Sequence, residues 1–88
     1  MYIDEHIEKL FKRYWVGDYV LSSIENMREQ LLTTLEGQVN AYWCGSSAYK
    51  IAVNGGFLKD GKSCTNKELT ILGESFLVDM DKLAKGEA

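Results

Sequence analysis

Residues 45–77 read GSSAYKIAVNGGFLKDGKSCTNKELTILGESFL, and this stretch carries the patterning that decides the fold. Gly45, Ser46 and Ser47 make a turn with hydroxyls able to cap a helix. Ala48, Ile51 and Ala52 then share one helical face, and Gly55-Gly56 stops it. A short helix over 47–54 is predicted. Phe57-Leu58 is an apolar pair, Lys59-Asp60-Gly61-Lys62 holds an Asp-Gly turn signal, and Leu69 returns an apolar side chain inward. Together they predict a two-stranded hairpin turning near 60–66. Thr70 can cap a last helix with Leu72, Phe76, Leu77, Met80 and Leu83 as its apolar positions, ahead of a polar tail.

Toward the N-terminus, Ile3, Ile7, Leu10, Phe11 and Tyr14 recur at helical spacing. Asp4 and Glu5 at the start and Lys9, Lys12 and Arg13 near the end match the helix dipole, so 3–15 is predicted helical. Gly17 interrupts, Asp18 is a suitable cap, and Val20, Ile24, Met27, Leu31 and Leu35 repeat until Gly37, predicting a second helix over 19–36. Residues 38–44, QVNAYWC, are either a third short helix or a continuation of the second. Phe57, Leu58, Leu69, Leu72 and Phe76 are expected to form one buried cluster with Ile24, Met27 and Leu31.

A chain of 88 residues buries only about 60% of its unfolded surface, so a single domain over 1–88 is expected, with 86–88 as a flexible tail. Its 45% hydrophobic and 26% charged content lies far from the disordered class. Met1-Tyr2-Ile3-Asp4-Glu5-His6 has acids where a signal peptide carries basic residues, and no apolar run reaches the roughly 18 residues of a membrane span. A cytoplasmic protein with no membrane contact is expected. Cys44 and Cys64 lack a CxxC spacing, which predicts two reduced thiols and no metal site.

The 45–77 segment resembles the second half of a winged helix-turn-helix domain. In that family a capped short helix ends in glycine, an apolar pair enters the first wing strand, and the second strand runs into Leu-Thr-x-x-Gly at the head of a closing helix. Gly56-Phe57-Leu58 and Leu69-Thr70-x-x-Gly73 with Phe76-Leu77 occupy those places. The fold class expected is therefore mainly α with a small β-hairpin, winged-helix-like, in the order helix, helix, helix, hairpin, helix.

The resemblance implies a nucleic-acid-binding protein of the transcription-regulator kind, meeting duplex DNA through Ser46, Ser47, Tyr49, Lys50 and Asn54 on the short helix. Lys59, Lys62, Asn66 and Lys67 on the wing would touch phosphates. The net charge of −3 opposes bulk electrostatic binding, yet 45–67 holds four lysines against Asp60 alone, leaving six basic and twelve acidic residues elsewhere. The alternative is a small acidic protein-binding module, an adaptor or phage-type inhibitor without nucleic-acid contact. Tyr2, Tyr14, Trp15, Tyr19, Tyr42 and Trp43 exceed what a small core encloses and are candidates for a partner interface, in a homodimer or against a larger protein.

No enzyme and no cofactor are expected. His6 lies between Asp4 and Glu8 on a polar helix face without a nucleophile nearby, Glu25 with Glu29 and Asp79 with Asp81 are solvated faces, and Gly55-Gly56 follows a helix and so makes no phosphate loop.

Overall fold

The computed structural model describes residues 3–15, 23–42, 45–61 and 65–86. Four helices follow in order: α1 (Asp4–Tyr14), α2 (Ile24–Val39), α3 (Ser46–Asn54) and α4 (Ile71–Ala84). Helices α1, α2 and α3 pack against one another, and α4 lies on α2. Ile7, Leu10 and Phe11 of α1 meet Leu31 and Leu35 of α2, Ile51 and Ala52 of α3, and Phe76 of α4 in one core. Phe57 and Leu58, from the segment between α3 and α4, complete it. The expected cluster forms within that core: Leu31, Phe57, Leu58 and Phe76 are buried, with Ile24, Met27, Leu69 and Leu72 half-buried against them.

Three helix ends share one device. After α3, Gly56 takes φ +83°, its amide donates to Val53 O (3.1 Å) and that of Phe57 to Ala52 O (3.0 Å). After α2, Ala41 takes φ +64°, its amide donates to Gln38 O (3.1 Å) and that of Tyr42 to Gly37 O (2.7 Å). Both are left-handed turns that satisfy the last carbonyls of a helix. After α4, Gly86 (φ +76°) donates to Leu83 O (3.1 Å). The ambiguity over 38–44 is thus resolved within the described residues: 38–39 continue α2 past Gly37, and 40–42 close it. Residues 43 and 44, like the predicted start of the second helix at 19–22 with its Asp18 cap, lie outside the described residues. The expected helix over 19–36 is corrected at its start: α2 begins at Ile24, because Ser23 is extended (φ −132°, ψ 151°) and caps it, its Oγ accepting from the Asn26 amide at 3.2 Å. The hydroxyl cap expected before α3 does not form; the helix starts at Ser46 behind Gly45, without a side-chain cap.

The predicted hairpin is corrected. No β-strand occurs among the described residues, and the pairing shrinks to one antiparallel bridge, Leu58 with Leu69. Lys59 N donates to Glu68 O (2.9 Å) and Thr70 N to Phe57 O (3.1 Å) on either side of it. The physical reason lies in where the other backbone groups go. The amides of Phe57 and Leu58 both donate to Ala52 O at the end of α3. On the returning arm, Lys67 N donates to Gln38 O (3.0 Å) and Asn66 Nδ2 to Val39 O (2.7 Å). Groups that a ladder would use instead close the exposed ends of α2 and α3. The architecture is four helices with a bridged loop, not helix, helix, helix, hairpin, helix.

Candidate functional site

The loop between α3 and α4 is locked from within by two residues expected to contact nucleic acid. Tyr49, on α3, is half-buried; its hydroxyl donates to the Asp60 carboxylate and accepts from Gly61 N at 3.0 Å. Burial, reinforced by the neighbouring Asp60 carboxylate, raises the Tyr49 phenol above its ordinary pKa, so it stays a neutral donor. Lys67 is only 5% exposed. Its ammonium donates to Thr65 O at 3.1 Å and lies 5.8 Å from the centre of the Tyr49 ring, within cation–π range. Tyr49 and Lys67 therefore hold the loop onto α3.

This placement turns one of the lysines inward. Lys67 is internal, and Lys59 pairs with Glu68 at 3.3 Å. Lys62 lies outside the described residues. Lys59 also lines a cleft of ≈ 470 Å³ between the loop, the end of α2 and the start of α4, together with Val39, Lys67, Glu68, Leu69 and Glu74. Two carboxylates there offset the cations, which leaves little attraction for a phosphate backbone. Asn66 is exposed but its side-chain amide is committed to α2.

On α3 itself, Ser46, Lys50 and Asn54 are exposed at four-residue spacing and so share one face, while Ser47 is half-buried. The aromatic set divides differently. Tyr14 and Trp15 are half-buried against the core, the Trp15 ring lying 5.5 Å from that of Phe11; Tyr42 is 73% exposed. Tyr2, Tyr19 and Trp43 lie outside the described residues. His6 is exposed, and its Nε2–H donates to Gly55 O at 2.8 Å, which ties α1 to the end of α3. Among the described residues, no three metal-ligating side chains gather, and no helix is long and apolar enough to cross a membrane.

The surface that the sequence reasoning missed is on α4. Of its apolar residues Ile71, Leu72, Phe76, Leu77, Val78, Met80 and Leu83, Phe76 alone is buried. Leu72, Leu77, Met80 and Leu83 are half-buried, whereas Ile71 is 86% and Val78 53% exposed. At about 100° per residue, Ile71 and Val78 fall opposite the core-facing side of the helix, one above the other and about 10.5 Å apart. The sequence shows only that neither is among the periodic apolar positions Leu72, Phe76, Leu77, Met80 and Leu83.

Comparison of the chain with protein families, with curated proteins and with solved structures found no match.

Proposed function

We propose that this protein is a small protein-binding module that docks on a partner through the outer face of α4, without direct nucleic-acid contact. The observation that carries this reading is the state of α4. Its outer side carries the exposed Glu74, Ser75, Asp81 and Lys82, yet Ile71 and Val78 stand between them in solvent, and α4 packs among the helices on α2 alone. A partner protein would cover that face. The internal engagement of Lys67, the Lys59–Glu68 pair and the net charge of −3 support the same reading, since each reduces what a phosphate backbone would meet. A cytoplasmic location fits two cysteines without disulfide-type spacing.

A second reading is favoured by one observation: Ser46, Lys50 and Asn54 share an exposed face of a helix that carries no acid. On this reading α3 would meet duplex DNA. One pair of measurements separates the two. Fluorescence anisotropy with a generic labelled duplex at low salt, where non-specific association is strongest, is expected to show no binding by the protein. A photo-crosslinking residue at Val78, in the cells that make the protein, is expected to give a defined protein adduct that the same group at exposed Glu29 on α2 does not. Salt-sensitive duplex binding that is lost in Lys50→Ala would overturn the protein-binding reading in favour of α3.

A further inference from the structure

Building on the docking role of α4, we infer that its outer face also recognises a second copy of this chain, the two α4 helices pairing side by side in the same direction. The charges around the apolar line point to this occupant and orientation. With the helix viewed end on at about 100° per residue, Ile71, Val78 and Lys85 run down the middle of the outer face. Glu74 and Asp81 form one edge of it, and Ser75 and Lys82 the other. All seven residues are exposed. An antiparallel pair would set each acidic edge against the other, Glu74 beside the second copy's Asp81, which costs energy through like-charge repulsion. A parallel pair related by a twofold axis along the helices sets the acidic edge of each copy against the basic edge of the other. Asp81 then meets Lys82 of the second copy, twice, while Ile71 and Val78 each stack on their own counterpart; the two Lys85 also face each other at the end of the seam, and each is drawn aside onto its own Asp81.

Asp81 already has a partner within the helix, Lys85 at 3.0 Å, and Lys85 sits on the midline, so both cations converge on that carboxylate when the copies meet. Glu74 and Lys82 carry no ion pair among the described residues. A seam of one 14-residue helix spans about 21 Å and is smaller than the interface of a stable dimer, so the association is weak and concentration-dependent.

Sedimentation equilibrium from about 10 µM to about 1 mM tests it, because a small interface gives affinities in that range. The mass is expected to rise toward that of a dimer. Val78→Lys, at an exposed position, is expected to remain a monomer with an unchanged circular dichroism spectrum. Asp81→Lys alone and Lys82→Asp alone are each expected to weaken association about tenfold, as two attractive pairs become repulsive. An equimolar mixture of the two variants is expected to restore it, since the reversed charge at position 81 of one copy then faces the reversed charge at position 82 of the other. A parent that stays monomeric at the highest concentration overturns self-association and leaves the proposed docking of a different protein on α4 standing. Asp81→Lys tightening association overturns the parallel seam, because an antiparallel pair would then gain a contact to Glu74. A Val78→Lys variant that dimerises like the parent places the contact elsewhere and overturns the α4 seam.

Discussion

Ala41 is the one residue other than glycine with positive φ among those described, at +64°. It does for α2 what Gly56 does for α3 and Gly86 for α4, but with a Cβ that crowds the neighbouring carbonyl in the left-handed region. Glycine removes that clash and loses more chain entropy on folding, about 0.5–1 kcal/mol. The clash outweighs the entropy, at about 1–2 kcal/mol. Ala41→Gly is therefore expected to stabilise the protein by about 0.5–1 kcal/mol, read as a rise in the urea midpoint at constant slope. A midpoint that falls would show that α2 does not end in this conformation.

At the scale of elements, residues 69–73 join three of them at one point. Leu69 bridges Leu58, Thr70 accepts from Gly73 N (3.0 Å) to cap α4 and donates its hydroxyl to Gly56 O at the end of α3. Gly73 lets α4 sit directly on the loop: a Cβ there would overlap the carbonyl oxygen of Phe57 and come within 3.0 Å of its carbon. That obstacle is backbone fixed by the Thr70 N to Phe57 O bond, so it cannot swing aside as a side chain can. Gly73→Ala is expected to cost about 2–3 kcal/mol despite the higher helix propensity of alanine. Ser75→Ala, exposed two residues later, should stay within about 0.5 kcal/mol of the parent. Equal midpoints for the two variants in chemical denaturation would refute the close approach of α4 to the loop.

Across the whole molecule, α1 and α2 are tied by Arg28, which grips Asp4 with two nitrogens, Nε donating to Oδ1 at 3.0 Å and Nη2 to Oδ2. The side chains are 15% and 27% exposed, enough shelter to strengthen the pair beyond a surface contact. The Arg28 hydrogen bond holds the Asp4 carboxyl below the ordinary aspartate value of 3.8, against the opposing effect of its burial. A lowered folded-state pKa contributes stability that is complete above the unfolded value and is lost as pH falls through the folded one. Asp4→Asn is thus expected to be less stable than the parent by about 1.5 kcal/mol at neutral pH, the low end for hydrogen bonds to charged groups. That gap should close as pH drops below about 4. A gap that stays constant to acid pH would mean that the pair contributes packing alone.

Local chemistry settled much of this fold before any tertiary contact was known. Periodicity and end charges placed α1, the glycine pair placed the end of α3, and Thr70 placed the start of α4, because each rests on interactions between near neighbours. The end of α2 was illegible for the same reason: the residue that turns the chain there is an alanine, which carries no left-handed signal, while Gly37 offers one that the helix ignores. The fate of residues 57–69 belonged to the tertiary structure. An Asp-Gly turn between apolar pairs suits a hairpin, and nothing local says that Asn66 and Lys67 will reach back 27 and 29 positions to the carbonyls at the end of α2. The same long-range choice turned Lys67 inward onto Tyr49, an engagement that its place among the lysines along the chain does not announce. Exposure of Ile71 and Val78 was likewise decided by which helix α4 lies against, since an apolar side chain reads alike in sequence whether a neighbour covers it or not.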